Sequence, residues 1–176
     1  MLDLDVAAAE ICSSVGQAFP DRLDHRGEMI LRQLLALAEE AAELDEALEL
    51  YRALGTIPAH DHLGEEIVDT ILTAHMVAFY VDRPLLPVIT DLEFTGALVT
   101  EAPYRVAGRA VKAGRRYLGI ARRNGDLDTL YRQLAALVCA CKYIARCEFV
   151  LLDQAVAAKL EVIFNRGWRE APQCAG

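Results

Sequence analysis

Apolar residues recur at helical spacing over most of this chain. Ile30, Leu34, Leu37, Ala41, Leu44 and Leu48 follow one another in alternating steps of four and three, which makes one continuous seam. A second stripe on the same stretch runs Ala36, Glu40, Glu43, Ala47, Leu50 and Leu54, apolar except at its two acids. The pattern predicts a long helix over residues 25–54, stopped by Gly55 and Pro58. Residues 67–81 read IVDTILTAHMVAFYV, apolar on almost every face, as in a helix buried all round. That helix is expected over 61–82, ended by Pro84 and Pro87. A shorter helix is expected over 3–18, before Phe19-Pro20. Residues 89–101 fit either a helix or a short extended piece. Further helices are expected over 104–123, before Asn124-Gly125, and over 126–149, with Asp126 as its cap. The second has a seam of Leu127, Leu130, Leu134, Leu137, Cys141 and Ile144. A last helix spans 151–165, with Gly167 as its stop. No internal repeat, low-complexity segment or long linker interrupts the series. The expectation is an all-α fold, a bundle of about five to six helices.

Composition narrows the class. A chain of 176 residues is expected to form one domain, with enough length for a real core. Its hydrophobic content is 54%, but charges break it throughout. The longest apolar stretch carries Asp69 and His75, so no membrane span and no membrane partner is read. The opening MLDLDVAAAE has no basic region of a secretory signal, which points to the cytoplasm. A net charge of -8 argues against general nucleic-acid binding. Cys12, Cys139, Cys141, Cys147 and Cys174 are odd in number and contain no CxxC pair. Free thiols in a reducing compartment fit them better than zinc or disulfides.

The chemistry lies in two acid pairs, Glu40 with Glu43 and Glu66 with Asp69. Three residues apart on a helix, the acids of each pair share one face. Both pairs sit in strongly apolar helices. Four converging carboxylates cannot all stay ionised there unless a cation compensates them. A hard divalent ion such as Mg²⁺ takes oxygen ligands of this kind and keeps positions for water and phosphate. Glu39 lies away from the inner pair and is the more peripheral acid. The alternatives are ordinary ion pairs, a capping role for Glu65 and Glu66, or a solvated acidic face. His60 and His62 flank Asp61 just before the second acid helix, as metal ligands or simply as part of the loop leading into it.

The pattern EExxE, a spacer, then ExxD resembles the MazG-like all-α nucleoside triphosphate pyrophosphohydrolases. The likeness covers about residues 25–82. It implies an enzyme dependent on Mg²⁺, or on Mn²⁺ in its place, that cuts a nucleoside triphosphate between its α and β phosphates, releasing a monophosphate and pyrophosphate. By the resemblance the metal ligands are Glu40, Glu43, Glu66 and Asp69, and Glu39 helps to orient or deprotonate water. The family often carries a later helix with Lys, Asn four on, and Arg three further. Lys159 and Arg166 have the matching separation and would bind substrate phosphates, while Ile163 stands where Asn is expected. Residues 84–150 then read as an inserted helical pair added to a MazG-like core. The insertion carries a basic stripe, Arg105, Arg109, Lys112, Arg116 and Arg123. It is either a clamp for a triphosphate or another subunit, or a solvated helix face, which is the commoner meaning of such a run. Trp168, Tyr80, Phe19 and Tyr104 are candidates to stack on a nucleobase or to pack in the core.

Family members commonly assemble as dimers or tetramers. The apolar excess of residues 67–81 likewise predicts a homo-oligomer with the acid helices near the contact. Two other function classes stand beside the enzyme. One is a non-catalytic helical interaction protein with a vestigial acidic site. The other is a ferritin-like carboxylate di-metal protein, which would need Glu-x-x-His where this chain has Glu66-x-x-Asp69.

Overall fold

The most apolar segment of the chain becomes the helix around which the others are laid. A computed structural model describes residues 3–18, 26–94, 101–119 and 125–165. It contains α1 (Leu4–Ala18), α2 (Arg26–Leu54), α3 (Ile57–Tyr80), α4 (Leu86–Phe94), α5 (Pro103–Leu118), α6 (Asp126–Cys147) and α7 (Leu152–Asn165). Among the described residues there is no strand, so the fold is an all-α bundle. Of the ambiguous stretch 89–101, residues 89–94 belong to the short helix α4, and residues 95–100 lie outside the described residues.

Two helix starts differ from the sequence expectation, each for a local reason. Pro58 does not end α2; it sits in the first turn of α3, where its missing N–H would have no partner anyway. Thr56 before it is extended, with φ −92° and ψ 153°. The His60-Asp61-His62 run therefore lies on α3 and not in a loop. At α6 the capping residue is Gly125, in the left-handed region at φ 92°, and Asp126 is buried in the first turn. A residue with a Cβ would be strained at 125.

Four helices make the centre. α2 packs against α3, α5 against α6, α2 against α5 and α3 against α6. All six seam residues of α2 are buried. The second stripe is only an edge: Ala47 is buried, whereas Leu50 and Leu54 are exposed. α1 and α7 lie on the remaining side of α3, and α4 covers α6. There Ala7, Ile11, Val68, Leu72, Val156 and Leu160 form a small second core. Most of the apolar surface of α3 is thus covered by α1, α2, α6 and α7 of the same chain, while Phe79 stays exposed. The stretch read as an insertion contributes α5 and α6, half of the central bundle.

α5 approaches α2 closely. A Cβ at Gly114 would run into Cδ1 of Leu34 and lie 3.3 Å from its Cγ and Cδ2. The basic stripe on α5 faces solvent at Arg105, Arg109, Lys112 and Arg116, while Val106, Ala110 and Ala113 are buried. Arg109 grips both carboxylate oxygens of Glu101 at 2.5 and 2.8 Å and donates to Gln133 at 2.7 Å. Arg123 lies outside the described residues. Cys12, Cys139, Cys141 and Cys147 form no disulfide among the described residues, and Cys174 lies outside them. Among the described residues no helix is long and apolar enough to cross a membrane.

Candidate metal centre

The acid pairs meet where α2 and α3 pack. Thr70 sets the register between them. Its buried hydroxyl donates to the backbone carbonyl of Glu66 one turn earlier, at 2.9 Å, and lies 3.2 Å from the carbonyl of Glu40 on α2. Glu40 and Glu43 on α2 and Glu66 on α3 then bring one carboxylate oxygen each to within 4.8 Å of one another. Glu66 is buried, and its Oε2 has no hydrogen-bond partner among the described residues. Glu40 and Asp69 are half-buried, and Glu43 is exposed.

Burial and mutual repulsion both act on this group. Loss of water is the larger cause at Glu40, joined by the charges of Asp69, Glu43 and Glu66. Together they push its carboxyl up to about 7, against a smaller opposing pull from Lys159. Glu66 is also raised, by burial first and then by Asp69 and Glu43, with His62 and Lys159 opposing. Such a group of carboxylates favours a compensating positive charge. One is already in place: the ammonium of Lys159, from α7, pairs with Oδ2 of Asp69. Asp69 is not one of the three acids whose oxygens meet within 4.8 Å, although its charge is the foremost of those that raise Glu40 and Glu66.

The remaining candidates are spread more widely. Glu39 is exposed on α2 and takes no part in the cluster. Arg166 lies outside the described residues, as do Phe19 and Trp168. Tyr80 is buried, and burial together with its neighbour Cys12 raises its hydroxyl well above the usual range. Tyr104 is 47% exposed on α5. His62, one turn before Glu66 on α3, brings Nδ1 to 3.5 Å from Oε1 of Glu66. The i,i+4 spacing of His62 and Glu66 carries that contact in the sequence, once α3 is known to start before it. His60 faces elsewhere, with Nε2 3.0 Å from the carbonyl of Glu148.

A cavity of about 540 Å³ opens between α3 and α7, lined by His60, Gly64, Glu65, Ala155, Lys159 and Val162 among others; Lys159, the partner of Asp69, is the residue that links it to the acids, none of which lines it. The donor set of Glu40, Glu43 and Glu66 is oxygen-rich and anionic, with one buried oxygen left unsatisfied among the described residues, and this suits a hard divalent cation such as Mg²⁺. Comparison of the chain with protein-family models, with curated proteins and with solved structures returns no match, so the functional reading stands on these side chains.

Proposed function

We propose that this protein is a Mg²⁺-dependent nucleoside triphosphate pyrophosphohydrolase, with Mn²⁺ able to replace Mg²⁺. The observation that carries the reading is the buried, unpartnered oxygen of Glu66 within a group of three carboxylates that meet inside 4.8 Å. An unsatisfied buried carboxylate oxygen is costly, and a cation would satisfy it. Glu40, Glu43 and Glu66 would hold the ion, joined by Asp69. The ion, when bound, supplies positive charge that neutralises the phosphate oxygens as the phosphoanhydride breaks.

The chain's own residues divide the rest of the work. Lys159 supplies a positive charge on the α7 side of the cluster. Released from Asp69, it would hold substrate phosphate as a point charge. Glu39 is exposed beside Glu40 and available to accept a proton from the attacking water. The cavity along α3 and α7 gives room for the nucleoside part next to Lys159. The test is hydrolysis of a panel of nucleoside tri- and diphosphates, ribo and deoxy, with and without Mg²⁺, with product analysis and calorimetric Mg²⁺ titration. Monophosphate and pyrophosphate formed only with Mg²⁺ or Mn²⁺ are expected. No Mg²⁺ binding, or release of inorganic phosphate in place of pyrophosphate, would overturn the reading.

A further inference from the structure

The chain carries 18 lysines and arginines together, and only three of them are lysines: Lys112, Lys142 and Lys159. Of these, Lys159 meets the acids. Its ammonium pairs with Oδ2 of Asp69, one turn after Glu66 on α3, and the two side chains are 28% and 21% exposed. Its charge reaches further than that contact. Burial first, and then the neighbouring acids, raise the Glu40 and Glu66 carboxyls, and Lys159 opposes the rise at both. An arginine would grip a carboxylate through two N–H groups at once, whereas a lysine holds it as a point charge on a flexible stem. Asp69 thus has the kind of cation that is more easily let go.

Lys159 also lines the cavity of about 540 Å³ between α3 and α7. The same side chain therefore has open space beside it, as well as its partner. The helix that carries it has two buried residues, Val156 and Leu160, packed with Val68 and Leu72 of α3 and with Ala7 and Ile11 of α1. A divalent ion drawn into the acids meets a positive charge already seated on one of them. Two cations on one carboxylate repel each other. Asp69 is also the acid whose charge weighs most, after burial, on both Glu40 and Glu66, so it is the one an ion gains most by neutralising.

We propose that Lys159 and the divalent ion are alternative counter-ions of Asp69. In the metal-free protein the ammonium holds the place. Ion binding takes Asp69 from it, and the lysine turns into the α3–α7 cavity, where it is free to meet a substrate phosphate. The metal therefore binds before the phosphates, and Lys159 is withheld from anions until it has. This exchange rests on the metal reading above and sets the order of binding within it.

The experiment uses the full chain, Mg²⁺ alone as the ligand, and lysine labelled with ¹³C and ¹⁵N, which gives three side-chain signals. Lys112→Arg and Lys142→Arg assign them by elimination. Without metal the Lys159 signal should stand apart from that of Lys112, which is exposed on α5. Saturating Mg²⁺ should bring it to the Lys112 position. Calorimetry should show Lys159→Met binding Mg²⁺ at least about fivefold more tightly than wild type, the low end of a usual coupling between two ligands. Lys159→Arg keeps the competing charge and should bind Mg²⁺ no more tightly than wild type. A lysine with a merely structural role would, on removal, leave the affinity unchanged or lower it. Equal or weaker binding by Lys159→Met would therefore overturn the proposal, and so would a Lys159 signal that saturating Mg²⁺ does not move. If Lys159→Met does not fold, the wild-type signal decides. Should no form bind Mg²⁺, the metal reading falls and the exchange with it; Mg²⁺ binding with an unmoved Lys159 removes the exchange alone.

Discussion

Glu40 carries the largest resolved electrostatic cost in the acid cluster. Its carboxyl is pushed up to about 7, by burial first and then by Asp69, Glu43 and Glu66. In the metal-free protein the unfolded chain therefore loses this proton at lower pH than the folded one. The stability tied to protonated Glu40 is full below its ordinary value of 4.5 and is lost as the pH rises through about 7. Thermal unfolding in EDTA should show a midpoint that falls between about pH 5 and about pH 7.5, and Glu40→Gln should flatten the fall. A wild-type midpoint that holds or climbs over this range would contradict the electrostatics. Glu43 is exposed, so Glu43→Gln should leave the fold intact; as a proposed ligand its loss should cut Mg²⁺-dependent turnover on the order of 100-fold or more. Wild-type rate in that variant would remove Glu43 from the site. Lys159→Ala should lower kcat/KM by about 2–4 kcal/mol of transition-state stabilisation, the range for a lost charge-stabilising donor. Arg109→Ala should change it little, because Arg109 is held by Glu101 and Gln133. If only Arg109→Ala slows turnover, phosphate recognition belongs to α5.

At the scale of elements, the contact between α5 and α2 decides how closely the bundle closes. In a free helix Ala is preferred over Gly by about 1 kcal/mol. At 114 the added methyl meets Cδ1 of Leu34, which is fully buried and must change its rotamer inside the core to make way. Gly114→Ala should therefore lower stability by about 1–2 kcal/mol net, an overpacking cost larger than the propensity gain. Gly108 lies on the same helix with nothing within 4 Å of a Cβ. Gly108→Ala should instead raise stability by roughly 0.5–1 kcal/mol. Denaturant unfolding of the two variants checks both signs; equal effects would mean that the α2–α5 packing is looser than described. The first half of α3 shows how a boundary goes wrong in a sequence reading. Pro58 is a stop signal after one helix and a start signal for the next, and only the chain's path between them decides which.

For the whole molecule, the sequence was most informative where a property is local. The 3.6-residue period exposes the α2 seam from Ile30 to Leu48 without reference to any other segment, and all of it is buried. The i,i+3 acid pairs are visible for the same reason, since one turn of helix puts each pair on one face. What covers each face is a property of distant residues. The all-round apolarity of α3 said that it is buried, but not by what. Most of the cover comes from α1, α2, α6 and α7 of the same chain. Likewise Asp69 meets Lys159 across 90 residues and His75 meets Asp5 across 70. Neither spacing carries a signal along the chain. Periodicity and residue type thus determined the helices, their buried faces and the two acid pairs, because those follow from backbone geometry one turn at a time. Tertiary packing alone decided that Glu40, Glu43 and Glu66 converge while Lys159 takes Asp69, and that His75 meets Asp5, because such contacts exist only once separate helices share one interior.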